Sequence, residues 1–337
     1  MLQGFSTTGI GSMPYSDAKE ACRVIFECVD IPFWPQLPKR SFLESMIPQY
    51  SEGFPFVRVN AGDIYVERPE ERAISLFYEA IEKKAGFPIS EDYASGFYAF
   101  LDILKEEGGK LDVLKGHITG PLTFTLGLTD KQKKPIYFDE EMRELALHLL
   151  KGKVRWQIER LQPFAEKIII FIDEPVISAL GTSTYIGVDM TDVSRLVGGL
   201  VSFIRDSGSI SGIHCCGRAD WSVVLSLGLD ILSFDAYLFG DTLSIYPEEI
   251  KAFLQNGGFI SWGIVPTGET IKKVTLKELI ERLEQGFLSL EGLGVPGDIL
   301  RGQSLLTPSC GTASMEIDDA MRVFSLLKDL RNSYAKD

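Results

Sequence analysis

Short apolar runs alternate with amphipathic segments along all 337 residues, and this alternation constrains the fold more than any other feature. Several runs are continuously apolar, such as IIIFI at 168–172, which is typical of parallel strands covered by helices. Eight runs are candidate strands: 5–10, 31–36, 111–118, 167–172, 209–214, 230–234, 259–264 and 302–306. Alternating strands and helices favour a parallel sheet. Because eight strands close a barrel, we predict an α/β fold with a single (β/α)8 TIM barrel over residues 1–337.

Helical segments separate the predicted strands, and several show apolar residues three and four positions apart. They cover 16–29, 70–84, 92–107, 140–165, 189–206, 221–227, 247–255, 276–290 and 317–331. Residues 48–68 do not fit the alternation. We therefore predict an insertion after strand 2, formed by a hairpin with Gly62 at its turn.

The composition excludes several classes of partner. A net charge of −13 argues against nucleic acid and anionic lipid. No stretch approaches the roughly 18 apolar residues of a membrane helix, and the first residues lack the basic and apolar regions of a signal peptide. We expect a cytoplasmic protein. Five cysteines, an odd number, do not indicate a disulfide framework, and thiols that share a site in a reducing cytosol favour metal binding or catalysis.

Metal-binding residue types stand at the ends of three predicted strands. His214 and Cys216, in GIHCCGR, lie two positions apart where the fifth strand ends, so both side chains point the same way. Asp235 closes the sixth strand, and Cys310 follows the eighth. In a barrel these places share the C-terminal rim, where active sites are built. Two thiolates, an imidazole and a carboxylate are a suitable tetrahedral set for Zn²⁺.

A His-x-Cys pair alone is usually accidental, and the third soft ligand at another strand end is what favours a metal site. Cys215 should point away from the pair and is interpreted as structural. Cys22 and Cys28 lie on an early helix, where we expect buried small hydrophobes. A zinc ion with an exchangeable position would deprotonate a bound substrate thiol while leaving it nucleophilic.

Five motifs resemble, in the same order, those of the catalytic domain of cobalamin-independent methionine synthase, within the uroporphyrinogen-decarboxylase-like superfamily. They are TTGIGSMP (7–14), HITGPLTF (117–124), IFIDEP (170–175), HCCG (214–217) and TPSCG (307–311), similar to the family's TTTIGSFP, LTGPVT, IDEP, His-x-Cys and NPDCG. The resemblance covers almost the whole chain, and the chain is similar to a short, core form because the long enzymes carry an additional N-terminal barrel. It implies methyl transfer to the zinc-bound sulfur of homocysteine.

Carried over residue by residue, the resemblance implies that His214, Cys216 and Cys310 are zinc ligands. Asp235 stands where the family has a glutamate ligand, and its shorter side chain implies a longer or water-mediated contact.

The resemblance also implies substrate contacts. Gly11 and Ser12 would donate to an amino-acid carboxylate, and Asp173 would act in catalysis by accepting from the ammonium. Gln36 lies near the position of the family's GEPER glutamate, which also holds the ammonium; it can hydrogen-bond but supplies no charge. Two alternatives stay open: Gly11 could shape a turn, and Asp173 could cap a helix that starts at Glu174.

Departures from the family concern the methyl donor. Gly127 stands where the family has a tryptophan on which the folate pterin stacks. Trp262, Gly263 and Ile264 replace the Asp-x-His thought to protonate the departing folate. An N5-alkyl folate is a poor leaving group unless protonated, whereas Co(I) leaves without a proton. We therefore expect the donor to be methylcobalamin or a methylated corrinoid carrier protein.

Three other functions remain as alternatives. The acceptor could be another thiol such as coenzyme M, whose sulfonate Arg218 or Lys39 could clamp. A metal-free decarboxylase like uroporphyrinogen decarboxylase would need a cluster of cationic groups, and the N-terminal segment shows no evident arginine cluster. A non-catalytic zinc or corrinoid-binding module is disfavoured, since structural zinc sites usually sit within local loops.

Overall fold

The computed structural model describes residues 2–60, 62–67, 71–83, 86–182, 185 and 187–334. Over these ranges the strands are β1 (Val57–Asn60), β2 (Asp63–Val66), β3 (Leu111–Thr119), β4 (Ala165–Asp173), β5 (Ile210–Cys215), β6 (Ile231–Phe234), β7 (Phe259–Val265) and β8 (Ser304–Pro308). Strands β3 to β8 form a six-stranded parallel sheet in sequence order. Six of the eight predicted strands are therefore confirmed, each within a few residues of its predicted limits.

Helices precede, separate and follow the strands. They are α1 (Ala18–Cys28), α2 (Met46–Ser51), α3 (Glu71–Glu82), α4 (Ser95–Glu107), α5 (Pro121–Gly127), α6 (Glu140–Leu161), α7 (Met190–Asp192), α8 (Gly198–Asp206), α9 (Trp221–Ser226), α10 (Ala236–Phe239), α11 (Pro247–Gln255), α12 (Leu276–Gly292), α13 (Gly297–Gly302) and α14 (Ile317–Tyr334). Several of them, including α6, α8, α12 and α14, pack against the six-stranded sheet. A π-helical turn, Val193–Val197, joins α7 to α8. No helix in the described ranges has the length and apolar content needed to cross a bilayer.

The sheet is buried on both faces, as its composition requires. Residues 168–172 of β4 are all buried, and so are residues 260–265 of β7. Burial of a leucine- or isoleucine-sized side chain stabilises a fold by about 1.5–3 kcal/mol, so these runs hold the sheet beneath its helices. Parallel strands in sequence order bring all their carboxyl ends to one edge, and that edge carries the site described below.

The predicted strands 5–10 and 31–36 differ from expectation. Neither forms a regular strand; each contributes isolated parallel bridges instead. Thr7 bridges Leu306 of β8, Phe33 bridges Lys115 of β3, and Ser12 bridges Gln36. The reason lies partly in Pro32 and Pro35, which have no N–H to donate and interrupt a continuous ladder. The closed eight-stranded barrel stays a prediction.

The predicted hairpin over 48–68 is shorter than expected. Strands β1 and β2 pair antiparallel over residues 57–66, and Gly62 near the turn has a φ of 87°, which favours glycine. The beginning of the predicted range is helix α2 instead, with its proline in the first turn where no intrahelical N–H is needed. Residues 61 and 68, like the helix limits predicted at 70 and 84, lie outside the described residues. That the hairpin is an insertion into a barrel stays a prediction.

Candidate metal centre

Three predicted ligands converge at the carboxyl edge of the sheet. His214 is the second-to-last residue of strand β5, and Cys216 follows that strand directly. Cys310 lies two residues beyond β8. One potential ligand atom from each residue lies within 4.8 Å of those of the other two. His214 is buried and both cysteines are half-buried. In the described part of the chain, this is the one group of three or more His, Cys, Asp or Glu side chains so arranged.

The imidazole of His214 is held at one nitrogen and free at the other. Nδ1 lies 3.0 Å from Oγ of Ser233, its register neighbour on β6. Nε2 is buried and has no hydrogen-bond partner among the described residues. An unpartnered buried nitrogen costs about 1–3 kcal/mol, so a further group is needed at this atom. A metal-ligating histidine commonly has its second nitrogen fixed by an oxygen in this manner.

The two thiols lie close enough to shift each other's ionisation. The Cys310 side chain, followed by that of His214, lowers the pKa of Cys216 to about 4. The Cys216 side chain, together with burial, raises the pKa of Cys310. These shifts favour a thiolate at Cys216 and a neutral thiol at Cys310. A thiolate, a second cysteine and an imidazole form the nitrogen and sulfur donor set that zinc prefers, so the residues fit this metal.

Asp235 is not brought into the group of three. It follows β6 as expected, but its side chain caps helix α10 and accepts a hydrogen bond from the Leu238 N–H at 2.9 Å. Burial raises the pKa of this carboxyl to about 6. Helix capping competes with metal ligation for the same oxygens, and the role of Asp235 as fourth ligand stays a prediction.

Asp173 closes β4 and lies directly beside the metal group. Its register neighbours are Thr119 on β3 and His214 on β5. Oδ1 is buried with no hydrogen-bond partner among the described residues, and burial raises the pKa of the carboxyl to about 6. The helix-cap alternative is not observed: the 3₁₀ turn Pro175–Ala179 has no side-chain cap. An unpaired buried carboxyl oxygen suits an acceptor for a cationic group.

Glu174, a residue with no predicted role, fixes the neighbouring loop. Its carboxyl is fully buried and accepts hydrogen bonds from the N–H groups of Leu122 and Thr123 at 3.0 and 2.6 Å, and from the Thr123 hydroxyl. Burial raises its pKa to about 7. A Cβ at Gly120 would come within 2.1 Å of this carboxyl, which explains the glycine before Pro121.

Gly11 and Ser12 lie against the loop that carries Cys310. The Ser12 carbonyl accepts from the N–H of Thr312 at 2.8 Å, and a Cβ at Gly311 would lie 2.0 Å from the Ser12 hydroxyl. The Gly11 carbonyl accepts from the N–H of Gln36 at 3.0 Å. The Gln36 side chain donates to Oε1 of Gln49 at 2.7 Å. The predicted substrate-binding turn and the predicted metal loop are thus adjacent.

His117 and Lys115 were missed as site residues. The His117 ring stacks on Trp34 with centroids 3.9 Å apart, and both ring nitrogens are buried without a partner among the described residues. Lys115 is fully buried and donates to the Ile10 carbonyl at 2.6 Å. Burial lowers its pKa to about 7. The available signal was a lysine and a histidine two positions apart in the apolar run before TGP, the spacing that places both on one face of a strand.

Two segments bear on the methyl donor, the end of helix α5 and residues 262–264 of strand β7. Gly127 ends α5, and a Cβ there would come within 2.9 Å of the Ile47 side chain. Trp262 is buried with its indole N–H bonded to the Ser304 hydroxyl at 2.9 Å, and Ile264 is buried as well.

The two candidate sulfonate clamps have other contacts. The Arg218 guanidinium lies over the ring of Phe239, 5.6 Å from its centroid, and Lys39 donates to the Met315 carbonyl. The remaining cysteines follow expectation in part, since Cys215 and Cys22 are buried and Cys28 is half-buried. Burial raises the pKa of the Cys215 thiol to about 11 and that of Cys22 to about 12.

The chain is similar over nearly its whole length to two solved methyltransferase structures. One is a B12-independent methionine synthase from Shewanella sp. W3-18-1 in complex with selenomethionine, with a TM-score of 0.58, 12% identity, and 99% of this chain and 98% of that chain covered. Another is a methyltransferase from Methanosarcina mazei, with the same TM-score and identity and 99% and 95% covered. Comparisons with protein-family models and with curated proteins give no match. The chain therefore has the fold of these methyltransferases.

Proposed function

We propose that this chain is a zinc-dependent methyltransferase that transfers a methyl group to the sulfur of homocysteine, as a short form of the methionine synthase catalytic domain. The observation that carries the proposal is the convergence of His214, Cys216 and Cys310 within 4.8 Å. The shared fold supports it, because one neighbour is a methionine synthase with selenomethionine, an amino acid of the product's class. We propose further that segments 5–10 and 31–36 complete a (β/α)8 barrel, which their parallel bridges to β8 and β3 support.

In this proposal His214 Nε2 and the sulfurs of Cys216 and Cys310 hold Zn²⁺, with Asp235 or a water as an additional ligand. Zinc bound here would supply the Lewis acidity that keeps a substrate sulfur deprotonated and nucleophilic at neutral pH. Ser233 keeps the His214 ring in the ligating orientation. The partial burial of this ligand group strengthens its interaction with a charged substrate, since the local dielectric constant is below that of water.

The acceptor amino acid is positioned by groups around the metal. Asp173 accepts hydrogen bonds from the substrate ammonium, which gives its unpaired Oδ1 a partner. Gly11 and Ser12 supply donors to the carboxylate, and Gln36 an uncharged contact. Together these contacts point the sulfur at the methyl donor and convert a bimolecular encounter into an oriented one.

We propose a corrinoid as the donor, either methylcobalamin or a methylated carrier protein. A corrinoid donor would supply the methyl group for the new C–S bond and would keep the electron pair of its methyl–cobalt bond. No proton has to be delivered to the donor, which suits a strand β7 that ends in the apolar Ile264 and Val265. At Gly127, a large aromatic side chain would need Ile47 to move aside.

A turnover experiment tests the function and its alternatives together. Protein loaded with zinc under reducing conditions is mixed with homocysteine and either methylcobalamin or methyltetrahydrofolate, and methionine is measured by mass spectrometry. We expect methionine from methylcobalamin and none from the folate. Methylation of coenzyme M in preference to homocysteine would change the acceptor, and a protein that never retains zinc would favour the metal-free decarboxylase.

The Asp173→Asn variant separates metal binding from substrate binding. It should retain zinc but bind homocysteine about 10- to 100-fold more weakly, since a hydrogen bond to a charged group contributes about 1.5–3 kcal/mol. An unchanged KM for homocysteine in this variant would remove Asp173 from the substrate site.

A further inference from the structure

His117 presents a buried imidazole that the proposed function leaves without a task. Its side chain is 1% exposed, and neither ring nitrogen has a hydrogen-bond partner among the described residues. Burial holds its pKa well below the ordinary value, so the ring is neutral and one nitrogen carries a hydrogen. Buried polar groups in proteins are nearly always hydrogen-bonded. The two unpaired nitrogens of His117 therefore indicate that a ligand binds next to the ring.

The ring is held in place by contacts that do not use its nitrogens. One face stacks on Trp34, and the Tyr50 ring packs edge-on with centroids 6.4 Å apart. The backbone carbonyl of His117 accepts from the Tyr50 hydroxyl and from Gln157, each at 2.9 Å. The nitrogens are thus free for a ligand while the ring cannot turn away.

The ring of His117 packs against the turn at Gly11. A Cβ at Gly11 would lie 3.1 Å from Nδ1 and Cε1 and 3.2 Å from Cγ of His117, so the Gly11 backbone lies over the Nδ1 side of the ring. The carbonyls of Gly11 and Ser12 accept hydrogen bonds, but no hydrogen bond within the described part of the chain uses the N–H group of either residue. Gly11, Ser12 and His117 therefore present several unused donors in one place.

The charged side chains around Gly11, Ser12 and His117 favour a ligand that carries an anionic group beside a cationic one. Lys115, two residues before His117, donates to the carbonyl of Ile10, directly before the turn. Asp173 lies on the neighbouring strand opposite Thr119, on the same side as His117 and about 7 Å further along. Donors at the turn and an unpaired carboxyl oxygen on the neighbouring strand offer one partner for the carboxylate and one for the ammonium of an α-amino acid.

We infer that His117 donates a hydrogen bond from Nδ1 to the carboxylate of the acceptor thiol and thereby selects amino-acid thiols over thiols that lack a carboxylate. The inference rests on the proposed function and adds a specificity residue to it. Gly11 contributes by lacking a side chain, because a Cβ would lie only 3.1 Å from the His117 ring and would push it out of position.

Equilibrium binding to the zinc-loaded protein tests this role without turnover. The dissociation constants of homocysteine and of 3-mercaptopropan-1-amine, the same thiol without its carboxylate, are measured by calorimetry for the native sequence and for His117→Phe. The phenyl ring keeps the stacking on Trp34 and removes both nitrogens. We expect homocysteine to bind about 10- to 100-fold more weakly to the variant and the amine to bind equally to both proteins.

Two further variants guard against a merely structural effect. His117→Leu and His117→Asn have side chains of nearly the same shape, but only asparagine keeps a donor near the Nδ1 position. Asparagine should restore most of the selectivity that leucine loses. The control Tyr50→Phe removes a bond to the His117 backbone and should leave the selectivity unchanged.

The outcomes separate this inference from the proposed function. If the zinc-loaded native protein binds homocysteine but His117→Phe binds it equally well, or weakens both thiols alike, the carboxylate contact is wrong and the methyltransferase proposal stands. If the native protein binds zinc but neither thiol, the proposed function itself fails.

Discussion

Nδ1 of His214 lies 3.0 Å from Oγ of Ser233 on the adjacent strand, so a hydroxyl of one strand orients the imidazole of the next. The other ring nitrogen, Nε2, has no hydrogen-bond partner among the described residues. With a metal at Nε2, Nδ1 would carry the hydrogen and donate it to Ser233. The Ser233 hydroxyl thus offers an acceptor to the tautomer that a metal ligand requires and fixes the orientation of the ring.

The Ser233→Ala variant should weaken zinc binding by about 10- to 100-fold, because the partner that orients the ligand is lost. Competition with a chromophoric chelator measures the affinity. Ser261→Ala is the matched control: Ser261 is also buried, is the register neighbour of Ser233, and donates to Thr307 instead of a metal-site residue. Equal losses in both variants would mean that Ser233 acts only through packing.

The Cys310→Ser variant should lose zinc on dialysis and lose methyl transfer with it, because a hydroxyl is a poor zinc ligand beside a thiolate. Metal content by mass spectrometry checks the first effect. Cys215→Ala serves as the control, since Cys215 is the buried neighbour of the ligand pair and should leave zinc content unchanged. Full zinc retention by Cys310→Ser would contradict the proposed centre.

Metal-free protein should hold one thiolate above about pH 4, because the neighbouring side chains of Cys310 and His214 lower the pKa of Cys216 to about 4. Thiolate absorbance in the ultraviolet, measured as acid is added, follows the loss of this charge. The Cys310→Ala variant removes the largest cause, so its thiolate should be lost at a clearly higher pH. A midpoint that does not move would show that Cys310 does not shift the ionisation of Cys216.

Lys153 offers a prediction about stability, away from the site. It is fully buried on α6, and burial lowers its pKa from 10.5 to about 7. Between about pH 7 and pH 10.5, Lys153 is protonated in the unfolded chain but neutral in the folded chain. Below about pH 7 the folded chain must bury the charged form, which lowers the free energy of unfolding. This loss of stability disappears as the pH rises toward 10.5.

Lys153→Met should therefore raise the free energy of unfolding by about 1–3 kcal/mol below pH 7, with the gain shrinking toward pH 10. Chemical denaturation across this pH range measures it. Lys105→Met, which removes the same charge from an exposed side chain, should change stability by less than about 0.5 kcal/mol. A gain that does not depend on pH would assign the effect to packing.

Much of the sheet could be predicted because the apolar pattern alone specifies it. The run IIIFI becomes the buried centre of β4, and the spacing of His214 and Cys216 places both beside the edge where Cys310 arrives. Segments 5–10 and 31–36 could not be described correctly, because the bridges they form depend on which strands lie beside them. Helices as short as α5 and α10 carry too few residues to show a helical period.

Side-chain pairing is harder to predict than strand position. The sequence places Asp235 at a strand end but cannot say that its oxygen caps a helix, because capping and metal ligation compete for the same atom. His117 lies inside a motif quoted for its resemblance, yet its importance rests on having no partner. That property depends on every neighbouring group in three dimensions and leaves no mark in a single sequence.

The contact between Ser12 and the Gly311–Thr312 loop joins the first part of the chain to its last strand. Cys310 is also separated from Cys216 by about a hundred residues, so the candidate ligand set is complete only when these distant segments have packed together. Metal affinity would therefore report on completion of this part of the fold, because a ligand set of this kind does not exist in an unfolded chain.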